Sequence, residues 1–76
     1  MSILHRRRDT DYLVTRMRRL SYIRSHHADL LNDEGIRLLD RSIWATFGEL
    51  VTFGREPDAS HLMHQLLVEL AAGGLE

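Results

Sequence analysis

Seventy-six residues and 8.8 kDa leave room for one small domain, residues 1–76, and exclude a second. With 43% apolar and 28% charged residues the chain has the balance of a soluble globular domain, and no apolar run approaches the roughly 20 residues of a membrane span. Zero cysteines exclude a disulfide scaffold and a thiolate metal site, and the net charge of −1 hides a division: residues 1–27 hold seven arginines against two aspartates, residues 28–76 three arginines against nine carboxylates.

The chain opens on Met1-Ser2-Ile3-Leu4-His5, which runs into Arg6-Arg7-Arg8 without the apolar stretch of a secretory signal. A cytoplasmic, bacterial-type protein is the expectation. Residues 1–8 read as a flexible basic arm, in which Arg6, Arg7 and Arg8 could contact nucleic-acid phosphates through charge. No aromatic residue that could stack on a base is interleaved with them.

A first helix is expected over about 10–25, with Asp9 or Thr10 capping its free amide donors. Leu13, Met17, Leu20 and Ile23 follow at steps of four, three and three on one face. Arg16, Arg18 and Arg19 give that helix a basic flank. A short extra helical turn is expected near 26–31. Asn32, followed by Asp33 and Glu34, then starts a second helix over 33–52: a cap, then acids at the positive end of the dipole. Its stripe is Ile36, Leu39, Ile43, Phe47 and Leu50, widened along one edge by Trp44 and Val51. Gly54 suits a left-handed stop. Pro57 suits a first helical turn, and Ala59, Leu62, Met63, Leu66, Leu67 and Leu70 give a third helix, about 57–72, with the broadest stripe. Gly73-Gly74 should end it, and Leu75-Glu76 has the look of a cloning scar.

The fold class expected is all-α, a small bundle of three main helices, antiparallel to their neighbours because the connections are short. One core in so short a chain supplies only about 3–5 kcal/mol of net stability. The wide apolar faces of the second and third helices therefore predict a homodimer.

No motif for catalysis stands out. The sequence has no glycine-rich phosphate loop, no nucleophile elbow and no cysteine to pair with a histidine. Asp40 and Glu49, nine positions apart on a helix, point in different directions. The chain reads as a non-enzyme without a cofactor. His61 and His64 stand at i, i+3, with His26-His27 elsewhere, but no ligand pattern organises them, and no metal site is expected.

The sequence carries resemblances to two known families. Thr10-Asp11-Tyr12-Leu13 with Arg18-Arg19, Leu31-Asn32-Asp33-Glu34, Glu49-Leu50 and Pro57 are similar to positions of the Hha/YmoA family. That family is all-helical and modulates transcription by binding nucleoid-structuring proteins, so the resemblance implies such a role. Trp44-Ala45-Thr46 stands where that family has an acidic-His-Arg patch, and the connection before the long helix is shorter. Ile36-Arg37-Leu38 as a strand, 40–52 as a helix, Gly54-Arg55 as a turn and Ser60 to Leu70 as a second helix resemble ribbon-helix-helix repressors, which would imply a dimeric DNA-binding regulator. The reading preferred from the residues is a helical protein–protein interaction module, regulatory and transcription-modulating. Its partner surface is expected at Trp44 and Phe47, helped by Arg16, Arg18 and Arg19.

Overall fold

The structure, a computed structural model, describes the backbone of residues 2–74 and the side chains of residues 10–73. Three α-helices follow one another: α1 Ser2–His26, α2 Asp33–Thr52 and α3 Glu56–Gly74, with a single 3-10 turn at Ala28–Leu30 between the first two. No strand occurs among the described residues. The all-α three-helix bundle is therefore the fold. Ile36-Arg37-Leu38 lie inside α2, which removes the strand that a ribbon-helix-helix arrangement requires.

α1 departs most from expectation. It starts at Ser2 rather than near Thr10, so the backbone of residues 2–8 is helical where a flexible arm was expected. Asp9 and Thr10 offer caps, yet the arginines and Leu4 before them are good helix formers, and nothing there breaks the helix. Thr10 is instead buried, at 6% exposure. The side chains of Arg6, Arg7 and Arg8 lie outside the described residues, as do Leu75 and Glu76.

The other boundaries follow local chemistry. The Asn32 side chain accepts a 2.8 Å hydrogen bond from the Gly35 amide, and Asp33 and Glu34 occupy the first turn of α2. At the far end Gly54 adopts φ +79°. The Arg55 amide donates to the Leu50 carbonyl at 2.7 Å and the Gly54 amide to the Val51 carbonyl at 3.0 Å. This is the paired 6→1 and 5→2 closure of a Schellman motif, which satisfies carbonyls left over at the helix end. α3 begins at once, with Glu56 and Asp58 in its first turn and Pro57 where no amide donor is needed. Gly73-Gly74, expected as a stop, are still helical.

All three helices pack against one another. The core is Leu13 and Met17 from α1, Ile43 and Leu50 from α2, and Ala59, Leu62, Met63 and Leu66 from α3. Val14, Leu20, Leu39, Phe47 and Leu70 pack against it, partly buried. Ile23, expected in the core stripe, is 38% exposed. Steps of four, three and three carry it about 80° from Leu13 around a helix of 3.6 residues per turn, to the edge of the buried face.

Candidate functional site

Ion pairs near both ends of the bundle show how the helices meet. Arg24 Nε donates to Asp40 Oδ1 at 2.8 Å, joining α1 to α2. At the other end Arg55 Nε donates to Asp58 Oδ2 at 2.6 Å, and a terminal guanidinium nitrogen reaches Asp11 Oδ1 at 3.4 Å. The Arg55 guanidinium is held above its ordinary pKa, chiefly by the hydrogen bond to Asp58; desolvation opposes this, and the weaker contact with Asp11 adds to it. These pairs run α1 antiparallel to α2. The short corner at Gly54 turns α3 back antiparallel to α2, so α1 and α3 run parallel.

The expected partner residues fall on separate surfaces. Trp44 is 60% exposed on the outer edge of α2, with the ring of Phe47 set edge-on to it, centroids 5.6 Å apart. Val51, one further turn along, is also exposed, as is Leu67 on an edge of α3. Arg16 lies instead in a groove between α1 and α2, lined with Tyr12, Leu13, Glu49 and Phe53. Arg18 lines a groove between α1 and α3, and Arg19 points to solvent outside both. Trp44 and Phe47 thus form one unit, while the three arginines are divided among different faces of α1.

The larger groove, about 340 Å³, is lined from α1 by Arg18, Ser21, Tyr22 and His26, and from α3 by residues including His61, Gln65 and Glu69. His26 Nε2 stands 3.9 Å from Glu69 Oε2, and the Tyr22 ring packs on His26 at 4.4 Å and on His27 at 5.5 Å. Sequence reasoning set the histidines aside and did not single out Tyr22, Ser21 or Gln65. They sit on α1 and α3 at positions whose shared groove depends on the relative register of two helices distant in sequence. Among the described residues no group of three or more His, Asp or Glu stands close enough to hold a metal ion. Asp40, which points away from Glu49 along α2, is engaged with Arg24. No helix among the described residues is long and apolar enough to cross a membrane.

No family model, no curated protein and no solved structure matches this chain. Neither family resemblance gains support from those comparisons, and the functional reading rests on the surfaces themselves.

Proposed function

We propose that this chain is a non-enzymatic helical interaction module, a small regulatory protein of the transcription-modulating kind, that works through a protein partner. The observation that carries the reading is the Trp44–Phe47 pair. An indole three-fifths exposed on a helix that builds the core leaves a large, rigid apolar surface in water, which burial against a partner would make favourable. Val51, one turn beyond Phe47 on the same helix, adds exposed aliphatic area. In the isolated chain a second copy covers this edge, giving a homodimer. Arg16, Arg18 and Arg19 lie on other faces, so their contribution is to steer an acidic partner at long range rather than to pair with it beside Trp44.

Sedimentation at tens of micromolar tests this reading. A species near twice 8.8 kDa is expected, and Trp44→Ala should shift it toward monomer without loss of helix content. A monomer at all concentrations, or a dimer indifferent to that substitution, overturns the assignment of the Trp44 edge.

A further inference from the structure

We infer that the groove between α1 and α3 is a binding site for a small amphipathic monocarboxylate, a single ring carrying a short acid chain. This inference rests on the groove's own geometry and stands apart from the Trp44 edge. Because α1 and α3 run parallel, one sequence offset holds along their shared length. His26 meets Glu69, an offset of 43 positions. The same offset sets Arg18 level with His61 and Tyr22 level with Gln65, and all six residues line the groove.

The groove therefore has charged side chains at its two ends, with Tyr22, Gln65 and two leucines between them. At one end stand Arg18 and His61. Arg18 has no ion-pair partner among the described residues, so a guanidinium fork is available to a carboxylate. Leu62 and Leu66, at 8% and 5% exposure, form the floor of the middle, and Tyr22, 57% exposed, offers a ring to stack on. Ser21 also lines this stretch, and its Oγ is buried with no hydrogen-bond partner. The far end holds Glu69 with His26 beside it at 3.9 Å, and the carboxylate there disfavours a second acid group on the ligand. A groove of 340 Å³ lies at the small end of ligand sites, room for one ring and a short chain.

The test is an amide-resolved NMR titration of the full chain with 3-phenylpropanoate, beside its neutral analogue 3-phenylpropanamide. The acid should shift Arg18, Ser21, Tyr22, His61 and Gln65 and saturate on the order of millimolar, as expected for about eleven heavy atoms at ordinary ligand efficiency. The amide should bind about tenfold more weakly, the worth of one charge-assisted contact. Arg18→Gln, at an exposed position, should weaken the acid by about the same factor and leave the amide unchanged. Glu69→Gln, at the opposite end, should tighten the acid. Equal binding of acid and amide overturns the inference, as does retention of affinity in Arg18→Gln. Shifts confined to the Trp44 edge, or no saturable shift by either compound, overturn it too.

Discussion

Arg24 Nε and Asp40 Oδ1, 2.8 Å apart, tie the last turns of α1 to α2. The contact is well formed, yet the two side chains are 23% and 44% exposed, and solvent screens them. Such a pair contributes up to about 1 kcal/mol. A double-mutant cycle with Arg24→Gln and Asp40→Asn should return a coupling of that size or less, shrinking as salt is raised. A coupling of several kcal/mol would show that the pair is far better shielded than its exposure implies.

The two ends of α2 are fixed by single residues. Asn32→Ala removes the acceptor of the Gly35 amide and should cost about 1 kcal/mol in chemical denaturation, while Asn32→Asp should be nearly neutral. Gly54→Ala has open space around the new Cβ, so sterics with neighbours are not at issue. Its cost, about 1–2 kcal/mol, comes from the left-handed backbone at φ +79°. Equal stability of Gly54→Ala and the parent chain would contradict that account.

These ends show what a sequence of this size reveals. Asn32, Gly54 and Pro57 act within a few residues of themselves, so their effect on α2 and α3 is legible without a structure. The buried residues Leu13, Met17, Ile43, Leu50, Ala59, Leu62, Met63 and Leu66 are likewise all members of the helical stripes. Two things were not legible. The start of α1 at Ser2 depends on whether the helix-forming arginines continue it past the capping residues, and a local cap signal cannot decide that. The α1–α3 groove depends on register between helices distant in sequence. Tyr22 and Gln65 carry no signal of it until the offset that joins His26 to Glu69 is known.

Met17 is fully buried where the three helices meet. Met17→Ala should cost about 2–5 kcal/mol, comparable with the whole net stability of about 3–5 kcal/mol that a core this small supplies. The variant should be largely unfolded by circular dichroism at room temperature. Leu67→Ala, at a position 55% exposed, should remain folded. A native spectrum for Met17→Ala would mean that assembly supplies much more stability than the single chain.

Thr46 is completely buried, and its hydroxyl donates to the Ser42 carbonyl at 2.8 Å, one turn back in the same helix. That carbonyl belongs to the helix ladder in any case, so the hydroxyl adds a second, local bond and leaves no distant partner stranded if removed. Thr46→Val keeps the volume and replaces a buried polar atom with a methyl group. It should be neutral or stabilising by up to about 1 kcal/mol. Thr46→Ala loses packing and should be destabilising. The opposite order in thermal melts would show that the hydroxyl serves something other than its own helix.

Trp44 is the sole tryptophan, so its fluorescence reports on the proposed partner surface without labelling. At 60% exposure the indole of a single chain is in contact with water and should emit toward the red. Covering the edge with a second copy removes that water, and emission should move to shorter wavelength as concentration rises. The midpoint should coincide with the dissociation constant found by sedimentation. Phe47→Ala removes the ring set edge-on to the indole, a contact worth about 0.5–1.5 kcal/mol beyond its area. It should move the midpoint to higher concentration. Emission that does not change with concentration while the sedimenting species doubles in mass would place the dimer interface away from Trp44. The edge would then be free for a different protein.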